Sequence, residues 1–393
     1  MLSRTADHLY WMARYMERAE NTARMLDVNY QTSLLPQSDD ATLNGWKTET
    51  GDEKMLSRTA DHLFWMARYM ERAENTARML DVNYQTSLLP QSAAVTEKGW
   101  KGLLSISELT GDYDKRIGAV SARSVMDYMI SDAANASSIR SCLMAARENA
   151  RAVRGTLTTE VWETQNQTWL EFQRMVAQGG FRKDPGTAFE WVKFRSHLSR
   201  GVTMGTMLQD EAFHFLRLGS FLERADNTAR LLDVKFHAVE SDYNGSSQSQ
   251  SQSQGQSQGQ SQGDTPAGGK DLEFDFYHWS AILRSVSGFE IYRKVYRNVI
   301  RPERVAELLI LRADMPRSLA ACMDEVVRNL AMVANEQSND TLRLAGRLRA
   351  DLQYGRIDEI LSTGLHAYLT QFLERVSTLG FGVSRDFLVP VTA

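Results

Sequence analysis

The sequence contains few of the residues that cross-link, interrupt or anchor a fold. Its two cysteines, Cys142 and Cys322, are too few for a disulfide framework, and we expect two buried thiols. Only seven prolines occur in 393 residues, which favours long uninterrupted helices. No apolar run approaches the roughly 20 residues that cross a bilayer. The start, MLSRTADHLYW, lacks the apolar segment of a signal peptide. We therefore expect a cytoplasmic protein without a membrane span.

Neither sign of charge is in large excess. The formal net charge of −4 argues against a protein that coats nucleic acid. Hydrophobic residues make up 42% and charged residues 24% of the chain, as in soluble globular proteins. Of the 45 basic residues, 35 are arginine, which suits buried ion pairs and bidentate binding of carboxylate or phosphate.

Two segments near the start of the chain are almost identical. Residues 1–38 and 55–92 differ only by Tyr10 against Phe64. Repeats that pack against different neighbours diverge, so this pair indicates a recent local duplication or an extended gene start, with Met55 as the ancestral first residue. We predict that residues 1–54 lie outside the core domain.

A third, diverged copy lies in the middle of the chain. The sequence ERAENTARMLDV at 71–82 recurs as ERADNTARLLDV at 223–234, with two conservative changes. Between 246 and 263 the chain contains only Ser, Gln and Gly, which predicts a flexible insert. The predicted domain thus has a first part at 55–244 and a second part at 270–393, separated by the insert at 245–269.

The remaining sequence has helical patterns and no convincing strand pattern, so we predict an all-α multi-helix bundle. Thr59 is predicted to cap a helix that runs to about Gln85. Pro302 and Pro316 are placed in first turns of helices. Further helices are predicted near 121–133, 138–154, 159–178, 187–200, 208–240, 275–299, 303–312, 317–334, 339–353 and 357–379.

The repeated helix has apolar residues on several sides and is therefore expected to be buried. Its main apolar stripe, at heptad spacing, consists of Leu63, Met66, Met70, Ala73, Ala77, Leu80 and Tyr84. On a second face, Phe64 and Val82 accompany Glu71, Asn75 and Arg78. These polar groups should be partly desolvated, and buried charges need partners.

The second copy contains suitable partners. If the two helices cross antiparallel near Asn75 and Asn227, Glu71 faces Arg230 and Arg78 faces Glu223, in a pseudo-twofold arrangement. Three interpretations stay open: a polar network that sets helix register, a ligand-binding or catalytic site, and ordinary surface ion pairs.

These residues also carry a family resemblance. The segments 55–81 and 218–233 resemble the two Glu-Arg signatures of the alpha-E domain family, a group of all-helical bacterial proteins. Segments 145–166, 285–296 and 301–323 are similar to other parts of that family. The resemblance adds Arg72, Arg224, Glu290, Tyr292, Arg293 and Arg317 to the candidate site of Glu71, Asn75, Arg78, Glu223, Asn227 and Arg230.

The resemblance implies a context and no reaction. Proteins of this family resemble accessory components that accompany circularly permuted ATP-grasp enzymes and transglutaminase-like proteins. It therefore implies a role in making or handling a peptide or amide-linked product, with an ATP-grasp ligase or a transglutaminase-like protein as possible partner. It implies no cofactor.

Two weaker signals concern metals and anions. Glu211 with His214 and Asp275 with His278 have the spacing of one ingredient of a di-metal site. One of these pairs has Asp in place of Glu, and the further ligands would have to come from Glu71 or Glu223, so we expect no metal. The segment 284–304 has a charge of +4 with interleaved tyrosines. It suits an anionic ligand or partner surface, a solvated helix face or, less well, nucleic acid.

Our leading hypothesis is an accessory helical protein that binds a peptide-like substrate or a ligase partner through the Glu-Arg helices. The alternatives are a catalytic domain that uses Glu71 and Glu223 as acid and base, and a purely structural scaffold. An open cleft at these residues favours binding or catalysis, whereas a closed network favours a scaffold. The duplicate helix at 3–31 repeats the apolar stripe. We expect it either to pack on its own chain or to enter the equivalent position of a second chain, which would give a domain-swapped dimer.

Overall fold

A computed structural model describes residues 3–33, 57–90, 92–251, 279–297 and 299–388. Within these ranges every regular element is a helix, so the predicted all-α class is confirmed. The chain divides into two compact units, 1–54 and 55–393. The first unit contains one described helix, α1 (Ser3–Ser33). The assignment of residues 1–54 to a position outside the core domain stays a prediction.

The second unit contains the remaining helices in two runs. The first run comprises α2 (Ser57–Ser87), α3 (Ala93–Ile106), α4 (Thr110–Arg116), α5 (Ala122–Ile130), α6 (Ile139–Ala152), α7 (Thr159–Ala177), α8 (Gly180–Lys183) and α9 (Pro185–Thr206). The second run comprises α10 (Glu211–Ser251), α11 (279–285), α12 (Phe289–Tyr296), α13 (Pro302–Ile310), α14 (Leu319–Met332), α15 (Asn339–Tyr354), α16 (Ile357–Thr363) and α17 (Leu365–Phe387).

Side-chain caps start several of these helices where the sequence supplies a hydroxyl or carboxylate. The Ser138 hydroxyl accepts from the Ser141 amide at 3.1 Å, and Ser318 accepts from the Ala321 amide at 3.0 Å. Such caps satisfy amides that have no partner within the helix. Both α6 and α14 therefore begin directly after a serine.

Some predicted boundaries are wrong. Thr59 lies inside α2, which begins at Ser57, so it is not the cap. Pro302 is the first residue of α13 as predicted, but Pro316 precedes the cap of α14. The single helix predicted over 275–299 is interrupted, since α11 ends at 285 and α12 begins at Phe289. The single helix predicted over 357–379 is broken at Gly364, whose φ is 98°. Helices α3 and α4 were not predicted.

The two Glu-Arg helices, α2 and α10, form the centre of the second unit and pack against each other. Helix α2 also contacts α6 and α9, and α10 contacts α14 and α17. The apolar stripe of α2 is buried from Leu63 to Leu80 and half-buried at Tyr84, and Phe64 on its second face is 2% exposed. The prediction that this helix is buried on more than one side is confirmed.

Two further predictions concern the insert at 245–269 and the absence of a membrane span. Helix α10 continues to Ser251 and therefore includes residues 246–251, at the start of the predicted insert. The flexibility of the insert stays a prediction. The rest of the predicted insert, from 252 on, lies outside the described residues. Among the described helices, none combines the length and apolarity that a bilayer span requires.

Candidate functional site

Glu71 of α2 is surrounded by arginines from three other parts of the unit. Its side chain is 1% exposed. Arg224 of α10 binds it in bidentate fashion, from Nε to Oε1 at 2.9 Å and from Nη2 to Oε2 at 2.8 Å. Arg317, which precedes the cap of α14, and Arg200 of α9 each donate one further bond at 3.0 Å. Glu71 thus accepts four hydrogen bonds, about the full capacity of a carboxylate.

Glu74, one turn further along α2, is equally saturated. It is fully buried and accepts from Arg78 Nε at 2.8 Å and from the Ser196 hydroxyl at 2.7 Å. Arg200 donates to it at 2.5 Å, and Arg317 donates through Nη2. Arg200 and Arg317 therefore bridge the two carboxylates. We call Glu71, Glu74, Arg78, Arg200, Arg224 and Arg317 the Glu71 cluster.

The charges of the Glu71 cluster keep both carboxylates ionised. Burial alone raises the pKa of Glu71, but Arg224 and Arg317 outweigh it and lower this pKa to about 2. Burial is likewise outweighed at Glu74, where Arg317, Arg200 and Arg78 hold the pKa well below its usual range. A general acid or base needs a pKa near the working pH. The cluster is therefore poorly suited to acid–base catalysis at neutral pH.

Glu223 of α10 has fewer partners. It is 5% exposed and accepts from Arg68 Nε at 2.9 Å and from Arg72 through Nε at 2.6 Å and Nη2 at 3.0 Å. Burial again raises its pKa, but Arg68 and Arg72 lower it overall. The two Glu-Arg pairs therefore bind reciprocally, Glu71 to Arg224 and Glu223 to Arg72.

The predicted cross-helix pairs do not form. Arg230 binds Asp226 on its own helix, at 2.8 and 3.0 Å, and Glu108 after α3. Arg78 stays with Glu74 on α2 and donates to Ser287 at 2.6 Å. The pairing of Glu71 with Arg230 and of Arg78 with Glu223 is wrong, and so is the antiparallel crossing on which it depends. From the contact of Phe64 with Gly219 to the pair of Glu71 with Arg224, the residue numbers rise along both helices, so α2 and α10 pack in parallel.

A close contact between the two helices lies at Gly219 of α10. A Cβ placed on Gly219 would lie 2.2 Å from the carbonyl oxygen of Phe64. The contact therefore lies about three turns before Asn75 and about two turns before Asn227, which the sequence analysis placed at the crossing. The two asparagines do not meet: Asn75 accepts from Arg317 at 2.8 Å, and its buried Nδ2 has no hydrogen-bond partner, whereas Asn227 lines a cleft.

The cavities at the two glutamates differ greatly in size. A cavity of about 50 Å³ lies beside Glu71, between α2, α9 and α10. A cleft of about 470 Å³ lies beside Glu223. We call it the Glu223 cleft. Its charged lining consists of Arg68, Arg72, Arg230, Glu108, Glu223 and Asp226, and its other lining residues include Phe64, Trp65, Asn227, Ser137, Ser377, Gly380, Phe381 and Ser384.

The candidate residues from 284–304, which are Glu290, Tyr292 and Arg293, belong neither to the Glu71 cluster nor to the lining of the Glu223 cleft. Glu290 and Arg293 are exposed, and Tyr292 is buried. The Tyr292 hydroxyl donates to the Val299 carbonyl at 3.1 Å and accepts from the Arg301 amide at 3.0 Å, so it fastens the loop after α12. Arg317, by contrast, belongs to the Glu71 cluster.

Sequence reasoning missed Glu74, Arg68 and Arg200 as site residues. Arg68 lies one turn before Arg72, and helical spacing alone could have placed both near the same acceptor. Arg200 lies in α9, outside every motif, and no signal in the sequence marked it. Its role depends on the packing of α9 against α2.

The metal and thiol candidates have ordinary structural surroundings. His214 Nδ1 lies 2.8 Å from Asn329 Oδ1, and no group of three or more metal-ligating side chains occurs in the described part of the chain. Asp275 and His278 lie outside the described residues. Cys142 and Cys322 are buried, and burial raises the pKa of each thiol to about 12, so neither is a ready nucleophile.

The chain was compared with models of known protein families. Residues 1–53 and 55–388 match Alpha-E, described as a predicted alpha-helical domain with a conserved ER motif. The chain belongs to the Alpha-E family. In this Alpha-E chain the two Glu-Arg pairs of the second unit are the residues that bind each other across α2 and α10. Neither the curated proteins nor the solved structures include a match to the chain.

Proposed function

We propose that this Alpha-E protein is a non-catalytic binding component that takes up a peptide-like ligand in the Glu223 cleft. It would serve a peptide- or amide-forming system and present the ligand to an ATP-grasp ligase. The observation that carries the proposal is the cleft of about 470 Å³ between the reciprocally paired Glu-Arg helices. Ligand pockets of proteins commonly have volumes of 300–1,000 Å³.

The lining of the cleft suits a peptide. Phe64, Trp65 and Phe381 offer apolar contacts, and the serines and Asn227 offer hydrogen bonds to amide groups. The charged lining contains three arginines and three carboxylates, so it can receive groups of either sign. A purely anionic ligand would instead favour an excess of arginine.

Catalysis by Glu71 and Glu223 has less support. Both carboxylates have lowered pKa values and are held by arginines. The scaffold interpretation fits the Glu71 cluster better, because its two carboxylates are saturated and the adjoining cavity is small. We therefore assign a structural role to the Glu71 cluster and the binding role to the Glu223 cleft.

Filling the cleft tests the proposal. Gly380 lines the cleft, and a Cβ added there meets no atom within 4 Å. Gly380→Leu should therefore fold and reduce tripeptide binding at least tenfold by occupying the cleft. Gly346→Leu is the matched control, because Gly346 in α15 is equally unobstructed and lies away from the cleft.

The measurement is isothermal titration calorimetry with a panel of tripeptides whose central residue is basic, acidic or apolar. Binding of at least one tripeptide by the unmodified chain and by Gly346→Leu, with loss in Gly380→Leu, supports the proposal. If no tripeptide binds, or if Gly380→Leu binds as well as the unmodified chain, the cleft is not a peptide site.

A further inference from the structure

The two runs of helices in the second unit match each other element by element. Helices α5 and α6 begin at residues 122 and 139, and α13 and α14 begin at 302 and 319, so both pairs are 180 residues apart. Helices α9 and α17 begin at 185 and 365, at the same spacing. The packing also corresponds, since α2 contacts α6 and α9 while α10 contacts α14 and α17.

Individual contacts repeat as well. His62 of α2 lies 2.7 Å from Asn149 of α6, and His214 of α10 lies 2.8 Å from Asn329 of α14. Cys142 and Cys322 are both buried at equivalent places in α6 and α14. Each residue around the Glu71 cluster therefore has a counterpart in the other run, and the two environments can be compared position by position.

The counterparts of the Glu71 cluster line the Glu223 cleft. The motif residues Glu71, Glu74 and Asn75 correspond to Glu223, Asp226 and Asn227, all of which line the cleft. The residues that close the first site are replaced by small ones in the second. The counterpart of Arg317 is Ser137, and that of His197 is Ser377. The counterpart of Arg200 is Gly380, and that of Met204 is Ser384. All four small residues line the cleft. The cleft is open because these four side chains are short.

In the first run, the acceptor residues of the motif bind the guanidinium of Arg317. Its guanidinium donates to Glu71 at 3.0 Å, to Asn75 at 2.8 Å, and to Glu74. The counterpart of Arg317 is Ser137, so the corresponding guanidinium is missing from the cleft. The three acceptor residues that would receive it are nevertheless present.

Those acceptors have spare capacity. Glu71 and Glu74 each accept four hydrogen bonds, whereas Glu223 accepts three and Asp226 accepts two. A carboxylate has about four acceptor positions, so roughly three remain in the cleft. Asn227 makes no side-chain hydrogen bond with any residue in the described ranges.

Charge does not oppose a further cation. The Glu71 cluster holds four guanidiniums on two carboxylates, a formal excess of +2. The cleft has three arginines and three carboxylates, so a bound cation would bring it only to +1. Arg68, whose counterpart is Ser220, fills only part of the acceptor set, because it reaches Glu223 and not Asp226.

We infer that the Glu223 cleft recognises a guanidinium or ammonium group of its peptide-like ligand, at the place that Arg317 fills in the other run. This inference rests on the proposed function and names the ligand class. Glu223, Asp226 and Asn227 receive the cation, and Ser137 leaves room for it.

The test compares two probes of nearly the same shape, one cationic and one neutral. Acetyl-Gly-Arg-Gly-amide carries one guanidinium, and acetyl-Gly-citrulline-Gly-amide is its neutral isostere. We expect the arginine peptide to bind the unmodified full chain at least tenfold more tightly in isothermal titration calorimetry. Equal binding of the two peptides overturns the inference and leaves the proposed function standing. If neither these nor any other tripeptide binds, both are overturned.

A variant tests the location. Ser137→Arg installs the arginine that the other run already has, and it should lower the affinity for the arginine peptide at least tenfold. Ser362→Arg on the exposed face of α16 adds the same charge elsewhere and should change the affinity less than twofold. Unchanged binding by Ser137→Arg overturns the assignment. If that variant does not fold, Asn227→Leu is used instead, because it removes one of the acceptors. It should also lower the affinity for the arginine peptide at least tenfold, and unchanged binding overturns the assignment.

Discussion

Identical residues have different roles in the two Glu-Arg motifs because their neighbours differ. Glu71 is closed in by Arg200 and Arg317, whereas Glu223 has Gly380 and Ser137 at the corresponding places and borders a cleft. The local motif sets the reciprocal pairing of the two Glu-Arg pairs. Side chains from α9, α17 and the segments before α6 and α14 decide whether the site is filled or open.

The closed cluster should be sensitive to loss of one charge. Glu71→Gln leaves Arg224 and Arg317 buried without a full counter-charge, so the free energy of unfolding should fall by about 3–5 kcal/mol. A double-mutant cycle with Arg224→Met, read by urea denaturation, should show clear coupling. The matched cycle with Arg230→Met should show almost none, since Arg230 binds Asp226 and Glu108 instead. Equal coupling in both cycles would contradict the observed pairing.

The same carboxylate predicts a pH dependence of stability. The pKa of Glu71 is lowered from an ordinary 4.5 to about 2, so its stabilising contribution is present above pH 4.5. It should be lost as the pH falls from about 4.5 towards 2, because the unfolded chain takes up the proton first. Urea denaturation between pH 6 and pH 2.5 measures this loss. The decrease should be smaller in Glu71→Gln, and an identical decrease in both chains would exclude Glu71 as a source.

At the scale of elements, the burial of α2 could be predicted, but its partners could not. Apolar residues on several sides of the helix indicated burial of Glu71 and Arg78. The choice of Arg317 over Arg230 depends on a contact between residues 246 positions apart in the chain, which helical spacing cannot supply. Likewise, the breaks at Gly364 and before α12 depend on backbone turns within segments that read as continuous helix.

The contact between α2 and α10 predicts an intolerant glycine. Gly219→Ala places a Cβ against the carbonyl of Phe64, and neither backbone can move without separating the two central helices. The melting temperature should fall, although alanine favours helix by about 1 kcal/mol over glycine. Gly201→Ala in α9 is the control, because nothing lies within 4 Å of that position, and it should melt at the same temperature or higher. A stable Gly219→Ala variant would show that the helices are less closely packed.

At the scale of the whole molecule, the twelve-residue copy at 223–234 was visible in the sequence, whereas the matching order of helices was not. Few identities link α6 with α14 or α9 with α17, since packing constrains size and polarity more than identity. The open cleft also escaped prediction. It arises from small residues such as Ser137 and Gly380, which carry no motif of their own.

The exposed apolar stripe of the duplicated helix α1 predicts that chains associate. Leu9, Met12 and Met16 of α1 are 49%, 60% and 70% exposed, whereas their counterparts Leu63, Met66 and Met70 in α2 are at most 5% exposed. An isolated amphipathic helix is marginal in water, and its apolar stripe favours association. Because α1 differs from α2 only by Tyr10 in place of Phe64, it can enter the α2 position of a second chain, which is a domain swap.

Removal of residues 1–54 should therefore reduce dimers and aggregates without lowering the melting temperature. Size-exclusion chromatography with light scattering compares the full chain with a chain that starts at Met55. Replacement of Met12 and Met16 by Glu in the full chain should have the same effect, because charges on the stripe of α1 prevent it from replacing α2 in the core. If the shorter chain does not fold, residues 1–54 are needed by the domain. If both chains form the same oligomer, association does not depend on α1.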